Sequence, residues 1–199
     1  LKELNLDYSK RQLKLLNIYI SEIELWNPRY GLVNAKGDML VIKHILDSLT
    51  GVKIVKSFNK RDLADVGSGA GLPGIPLAIM MPELKVTLIE RSGKRVRFLR
   101  SIKAMLALDN LSICEMDLKD VKTKYDLVTF RAFKPVEPEI MKLLMRILDK
   151  NGKMIAYKGK KENVKMEMDM VKDIASVENI FPVFIPGIND ERTLVVYRS

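Results

Sequence analysis

The sequence predicts an α/β fold with a mainly parallel seven-stranded sheet, covered on both faces by helices and ending in an antiparallel hairpin. Three observations lead to this prediction. Short apolar runs alternate with longer amphipathic segments from residue 63 onward, which is typical of repeated strand and helix units. A glycine-rich turn, GSGAG, follows the first apolar run. The last two apolar runs are joined by IPGINDER, which is too short for a crossover helix.

The residues before the sheet are predicted to form a helical extension. Apolar residues recur at helical spacing over 4–26, and Asn27-Pro28 should end that helix. A second helix should run from Asp38 to Leu49, and residues 51–60 should be a basic connection. A chain of 199 residues suffices for one well-buried core and is short for two. We therefore expect a single domain over 1–199, with the extension at 1–60 and a Rossmann-like core at 61–199.

The elements of that core follow from the alternating pattern. Predicted helices cover residues 72–81, 92–107, 136–148 and 161–175. Predicted strands cover residues 63–66, 85–90, 111–115, 125–130, 152–157, 179–185 and 193–198.

The glycine turn after the first strand is the main indication of a ligand site. Gly67, Gly69 and Gly71 leave the backbone open to a ligand at the start of a helix. A dinucleotide fold needs G-x-G-x-x-G, but Leu72 stands where its third glycine belongs. The order found is D-x-G-x-G-x-G with Asp65 first, which is the order seen in S-adenosylmethionine-dependent methyltransferases. An acid near the turn suits the cationic sulfonium and ammonium of that cofactor.

Further candidate ligand residues stand at the ends of the next strands. Glu90 ends the second strand and could accept hydrogen bonds from both ribose hydroxyls. Asp117, with Leu118 and Lys119, follows the third strand and could contact adenine, or Asp117 could cap a short helical turn. Arg131 ends the fourth strand and could meet the cofactor carboxylate or a phosphate, or could pair with Asp126.

The charge balance favours an anionic partner, because the net charge is +9. The densest basic run, RSGKRVRFLRSIK, brings Lys94, Arg95, Arg97 and Arg100 onto one helix, which is either a phosphate-contacting surface or a solvated helix face. Two further candidates for contact with RNA are Phe133, which could stack on a base, and Lys158, in a second basic cluster.

The chain shows no metal cluster and no catalytic triad, and its one histidine, His44, is either a substrate contact or proton carrier, or a structural residue. Methyl transfer to N7 of guanine would need no general base, since that nitrogen carries a lone pair and no proton. An absence of bases is therefore compatible with this reaction.

Several blocks of the sequence match a known family: HILDSL (44–49), DVGSGAGLPGIPLAI (65–79), GKRVRFLR (93–100), RAF (131–133), YKG (157–159) and ERTLVVYR (191–198). With these blocks the chain resembles the family of ribosomal RNA small subunit methyltransferase G, also called glucose-inhibited division protein B. The resemblance implies a class I methyltransferase fold, S-adenosylmethionine as cofactor, and methylation of one guanine at N7 in small-subunit (16S) ribosomal RNA. It implies cofactor contacts at Gly67, Leu72, Leu118, Lys119 and Arg131, although Lys119 stands where the family usually has Glu.

Two other classes of protein remain as alternatives. One is a non-catalytic RNA-binding protein with a methyltransferase-like fold; the other is a dinucleotide-dependent oxidoreductase, which Leu72 disfavours. The expected partner is small-subunit ribosomal RNA or its ribonucleoprotein particle. No apolar run approaches the roughly 20 residues that span a bilayer, so we expect no membrane contact. We further expect the protein in the cytoplasm, since its single cysteine fits a reducing compartment. We also expect a monomer.

Overall fold

The computed structural model describes residues 1–131, 137–159, 161–189 and 191–198, with the side chains of 161–163 excepted. Within these residues one sheet has seven strands in the order β3-β2-β1-β4-β5-β7-β6. The pairs from β3 to β5 are parallel, and β7 is antiparallel to both β5 and β6, which confirms the predicted terminal hairpin. The strands are β1 (Asp62–Val66), β2 (Lys85–Glu90), β3 (Leu111–Glu115), β4 (Tyr125–Arg131), β5 (Leu148–Lys158), β6 (Ser176–Val183) and β7 (Arg192–Arg198).

Helices cover both faces of the sheet, and none of those described is long and apolar enough to cross a membrane. A π-helical stretch, Val41–Leu46, joins α2 to α3. The helices are α1 (Lys10–Tyr30), α2 (Gly37–Leu40), α3 (Asp47–Leu49), α4 (Val52–Ser57), α5 (Gly74–Met80), α6 (Gly93–Leu106), α7 (Pro138–Arg146) and α8 (Lys161–Val171).

The two faces of the sheet carry separate hydrophobic cores. Because successive residues of a strand point to opposite faces, Leu63 of β1 lies in one core and Ala64 in the other. The first core also contains buried residues of α1, α4, α5 and α6 and of the segment 37–49. The second contains residues of α7 and α8. The helices that precede β1 therefore pack on the same face as the helix that follows the glycine turn.

The N-terminal helices differ from the prediction in four places. Helix α1 does not end at Asn27-Pro28, because Pro28 lies in its last turn; the helix ends at Tyr30 and is capped by Gly31, whose φ is 59°. It begins at Lys10 rather than near residue 4, since Ser9 and Gln12 form a capping box. The predicted helix over 38–49 is interrupted by the π-helical stretch, and the predicted connection over 51–60 contains α4.

The turn after β1 is longer than the prediction, which began the next helix at residue 72. Helix α5 starts at Gly74. A Cβ atom at Gly74 would lie 2.3 Å from Leu88 Cδ2 and 2.8 Å from Asp65 Oδ2. Only glycine therefore lets the start of α5 approach β1 and β2 this closely.

Candidate functional site

A cleft of about 560 Å³ opens at the carboxyl ends of β1, β2 and β4 and beside the residues that follow β3. Gly67 contributes backbone atoms to it. Its charged lining consists of Glu90, Arg91, Arg95, Asp117 and Arg131. Its apolar lining consists of Val66, Ile89, Met116, Leu118, Ile140 and Leu143. The cleft therefore brings together five of the nine sequence-predicted cofactor residues: Gly67, Glu90, Asp117, Leu118 and Arg131.

Glu90 fixes the shape of the cleft floor with a side chain that is only 4% exposed. Its Oε2 accepts a hydrogen bond from the Gly69 backbone N–H at 2.9 Å, and its Oε1 accepts one from the Ser92 N–H at 2.8 Å. Arg95 Nη1 lies 3.7 Å from Oε2. A carboxylate can accept about four hydrogen bonds, so this side chain keeps acceptor capacity for a ligand in the cleft.

The glycine turn is left-handed at all three of its glycines, with φ of 67° at Gly67, 60° at Gly69 and 90° at Gly71. Their positions relative to the cleft differ. Gly67 lines it, whereas Gly71 lies beneath it, where a Cβ atom would be 2.4 Å from Ile75 Cδ1. Leu72 is buried in the hydrophobic core. Gly69, Gly71 and Leu72 thus shape the turn and are not among the residues that line the cleft.

Asp65 does not face the cleft, contrary to the expectation that its acid lies near a cationic ligand. Its side chain is fully buried, and Oδ2 accepts a hydrogen bond from the Gly74 N–H at 3.0 Å, while Thr129 Oγ1 lies 3.4 Å from Oδ1. Burial raises the pKa of Asp65 to about 7, against the opposing effects of the Gly74 N–H and the Arg131 charge. Asp65 therefore ties β1 to the start of α5.

This raised pKa predicts a pH dependence of stability. Between about pH 4 and pH 7 the folded protein holds a proton on Asp65, whereas the unfolded chain has released it. The contribution of Asp65 to the free energy of unfolding is therefore complete below about pH 4 and is lost as pH rises through about 7. Asp65→Asn should remove this loss, by at most about 1.4 kcal/mol per pH unit. Urea unfolding at pH 4, 5, 6 and 7 should show that the free energy of unfolding of the variant rises relative to that of the wild type as the pH increases. The exposed Asp120→Asn serves as control, and a constant difference for Asp65→Asn would contradict the prediction.

Asp117 fulfils the capping role that the sequence left open. Its Oδ1 accepts from the Lys119 N–H at 3.2 Å, and Oδ2 lies 3.3 Å from Arg91 Nη1. The Lys119 N–H first and then Arg91 hold the pKa of Asp117 below its usual value, so the cleft carries a carboxylate there. Lys119 is exposed and is not among the lining residues; its carbonyl accepts from Arg146 Nη2 at 2.7 Å.

Arg131 pairs with an acid other than the one that the sequence suggested. Its Nη1 lies 3.0 Å from Asp47 Oδ2, and its Nη2 lies 3.0 Å from His44 Nδ1. Asp126 lies instead 3.8 Å from Lys60 Nζ. Burial, followed by the charge of Arg131, lowers the pKa of His44 to about 4, so the imidazole is neutral at pH 7. His44 thus contacts a protein side chain, which favours the structural interpretation.

The RNA candidates are dispersed, and several are already paired. Arg95 lines the cleft beside Glu90, and Arg100 Nη2 lies 2.9 Å from Glu115 Oε2. Lys94 Nζ lies 5.2 Å from the centre of the Tyr30 ring. Arg97 is exposed and makes no ion pair with any described residue. Lys158 is only 8% exposed and pairs with Glu167, so the structure does not present it to solvent. Phe133 lies outside the described residues.

Sequence reasoning missed Ile140 and Leu143, which form a wall of the cleft. Both lie on α7, where Met141 and Leu144 face the core. The signal was the breadth of the apolar stripe, since five of the nine helix residues are apolar side chains other than proline, which is more than one core face needs. A second apolar face beside a ligand turn indicates a wall for an apolar ring.

Solved structures of low sequence identity share this fold. Magnesium protoporphyrin IX methyltransferase from Synechocystis PCC 6803, solved with bound SAM, superposes with a TM-score of 0.64 at 18% identity, covering 96% of this chain and 99% of that chain. The PH0226 protein from Pyrococcus horikoshii OT3 gives 0.61 at 19% identity, covering 88% and 98%. The sheet order, the reversed β7 and the glycine turn are those of the class I methyltransferase fold.

Sequence comparison identifies the family within this class. Residues 12–195 match the family described as rRNA small subunit methyltransferase G, and the chain belongs to that family. The enzyme of that name from Borrelia hermsii is 37% identical over 201 residues, covering 100% of this chain and 96% of the relative. The one from Treponema pallidum subsp. pallidum is 40% identical over 192 residues, covering 93% and 84%. The chain is thus an S-adenosylmethionine-dependent methyltransferase.

The residues of the cleft fit this cofactor. Gly67 leaves a stretch of the turn without a side chain, so a ligand can lie against the backbone there. Glu90 is a buried acceptor that suits a pair of hydroxyls, and Leu118, Ile140 and Leu143 offer an apolar surface that suits a purine ring. The cleft is also large enough for a ligand of this size, at about 560 Å³.

Proposed function

We propose that this enzyme transfers the methyl group of S-adenosylmethionine to N7 of a guanine in small-subunit (16S) ribosomal RNA. The names of its relatives support a small-subunit ribosomal RNA substrate. The observation that carries the N7 assignment is that both carboxylates among the described lining residues are already bound to donors. Glu90 accepts from two backbone N–H groups, and Asp117 from the Lys119 N–H beside Arg91. Both carboxylates are therefore held in fixed positions by protein donors, which agrees with a reaction in which no proton has to be removed.

The chemistry of the acceptor agrees with such a cleft. S-adenosylmethionine, when bound, supplies a methyl group on a positively charged sulfur. Guanine N7 has a lone pair and no proton, so it can form the new nitrogen–carbon bond while the carbon–sulfur bond breaks, and no proton moves. The protein then has to align the two reactants and exclude water. Its own residues do this by holding the glycine turn rigid through Glu90 and by closing the cleft with α7.

The proposed cofactor contacts follow the positions of the lining residues. Glu90 would hold the ribose hydroxyls, and Gly67 would lie against the methionine part of the cofactor beside the ribose. Asp117 and the backbone of Leu118 and Lys119 would contact the adenine. Arg131 would bind the cofactor carboxylate. Gly69, Gly71 and Leu72 would act by shaping the turn. The segment 1–60 belongs to the same single domain, since its buried side chains share a core with the sheet.

The partner of this enzyme is then ribosomal RNA, either free or in its ribonucleoprotein particle. A net charge of +9 favours binding to such a polyanion. We propose that the enzyme acts in the cytoplasm, because small-subunit ribosomal RNA is assembled there. We also propose that it acts as a monomer.

The direct test is methyl transfer from labelled S-adenosylmethionine to small-subunit RNA and to the assembled particle. N7-methylated guanine is susceptible to borohydride reduction and aniline scission, so we expect label in the RNA and a single cleavage. Label elsewhere on the base would overturn the N7 assignment. Cofactor binding without transfer to either substrate would favour the non-catalytic RNA-binding alternative.

Arg97 is the cation of α6 that is best placed to contact RNA phosphate, because it is exposed and makes no described ion pair. Arg97→Glu should weaken RNA binding and lower the slope of log affinity against log salt by about 0.7 to 0.9, the effect of one lost phosphate contact. Filter binding at several salt concentrations measures both quantities. Lys85→Glu is the control, because Lys85 is exposed at the amino end of β2, whereas the cleft lies at the carboxyl ends of the strands. Equal effects of the two variants would assign α6 to a solvated face.

A further inference from the structure

The Arg131 guanidinium is held by one short segment of the N-terminal helices. Its Nη1 donates to Asp47 Oδ2 at 3.0 Å and lies 3.4 Å from the carbonyl oxygens of Lys43 and His44. Its Nη2 contacts His44 Nδ1 at 3.0 Å. The side chain of Arg131 is only 12% exposed, yet it lines the cleft. The segment that holds it is therefore part of the wall behind the ligand site.

The contact with His44 fixes the protonation of that ring. A guanidinium has only donors, so His44 Nδ1 must accept, and the imidazole must be neutral with its proton on Nε2. A low pKa of His44, caused first by burial and then by Arg131, keeps the ring in this form at pH 7. Lys43 and Arg192 add positive charge around the ring and act in the same direction. His44 is thus an acceptor that Arg131 needs, not a proton carrier.

Asp47 supplies the countercharge. Its side chain is almost fully buried, with Oδ2 on Arg131 and Oδ1 3.5 Å from Arg192 Nε. The carbonyls of Lys43 and His44 reach Arg131 from the π-helical stretch, where wider hydrogen-bonded rings replace the α-helical pattern. These acceptors occupy the two N–H groups of Nη1 and one of Nη2. One N–H of Nη2 and the Nε–H remain to face a ligand.

We propose that His44 and Asp47 are positioning residues, which hold Arg131 with two donors directed into the cofactor cleft. The inference depends on the proposed contact of Arg131 with the cofactor carboxylate. It assigns the segment 41–47 a role in cofactor affinity, although none of its residues lines the cleft.

The test is calorimetric titration of the full chain with S-adenosylhomocysteine, which carries the same carboxylate and needs no turnover. Arg131→Ala and Asp47→Asn should each weaken binding about tenfold. In the double variant, Asp47→Asn should add no further loss, because the arginine that it positions is gone. Asp126→Asn is the matched control, since Asp126 lies near the other end of β4 beside Lys60 and should leave affinity unchanged. Thermal midpoints are recorded for every variant.

His44 offers a second route that does not remove a charge. His44→Leu should weaken binding, and His44→Asn, whose side-chain oxygen can accept from Nη2, should restore much of the affinity. Three results would overturn the inference. The first is a lower thermal midpoint for Asp47→Asn with unchanged affinity. The second is a loss of affinity from Asp47→Asn that is equally large when Arg131 is already alanine, and the third is equal affinities for the two His44 variants. Unchanged affinity in Arg131→Ala would also overturn the inference, because it would show that Arg131 does not bind the cofactor carboxylate. Methyl transfer to RNA retained by that variant would still support the proposed function.

Discussion

Gly67→Asn should abolish binding of S-adenosylmethionine while the protein stays folded. Gly67 lines the cleft with backbone atoms alone, so any side chain at this position takes space that the cofactor needs. Its φ of 67° lies in the left-handed region, where Asn is among the best tolerated residues after glycine. We expect affinity to fall by about a hundredfold or more, which corresponds to about 2.7 kcal/mol. Calorimetric titration measures the loss.

Gly31→Asn is the matched control for the backbone cost of that change. Gly31 has a φ of 59°, and a Cβ atom there would meet nothing within 4 Å. It lies at the end of α1 and does not line the cleft. The two variants should therefore lose similar stability, and only Gly67→Asn should lose the cofactor. Equal affinities of the two variants would show that the cofactor does not lie against the glycine turn.

Glu90→Ala should reduce both cofactor affinity and stability. The change leaves the N–H groups of Gly69 and Ser92 without their acceptor and frees Arg95 from its partner. Loss of these charge-assisted hydrogen bonds should cost about 1 to 3 kcal/mol of unfolding free energy. Affinity should fall at least tenfold, because the acceptor for the ribose is gone and the turn loses its support. Urea unfolding and calorimetric titration measure the two effects.

Glu115→Ala is the control on the neighbouring strand. Glu115 is the register partner of Glu90 on β3, but its side chain is exposed and pairs with Arg100 at the surface. An exposed pair of this kind contributes less than about 1 kcal/mol. Similar losses of affinity and stability in Glu90→Ala and Glu115→Ala would mean that Glu90 contributes no more to either than an exposed ion pair does.

The sheet and the cofactor turn could be predicted from the sequence because both depend on local patterns. Alternating apolar runs define strands, and a glycine turn followed by an acid one strand later defines the site around Glu90. The same alternation explains the error on Asp65. That residue shares the face of Leu63, two positions earlier, so its side chain lies under α5 with the Gly74 N–H rather than in the cleft.

Contacts between distant parts of the chain were beyond such patterns. Arg131 and Asp47 are 84 positions apart, and no periodicity relates them. The sequence indicates a surface cation at Lys158, but its pairing with Glu167 depends on how α8 packs beside β5. Helix α4 has only six residues, too few for a clear apolar stripe, so the pattern predicts only a connection there.

The place of β7 in the sheet bears on how the protein is made. This strand is the last of the seven described strands in sequence order, yet it lies between β5 and β6 rather than at an edge. While a ribosome is still adding residues before 192, β5 has an open edge and β6 has no neighbour to pair with. Arg192, which shares Asp47 with Arg131, is also missing at that stage. Closure of the sheet and the pairing of Arg192 with Asp47 therefore wait until residues 192–198 have been synthesised.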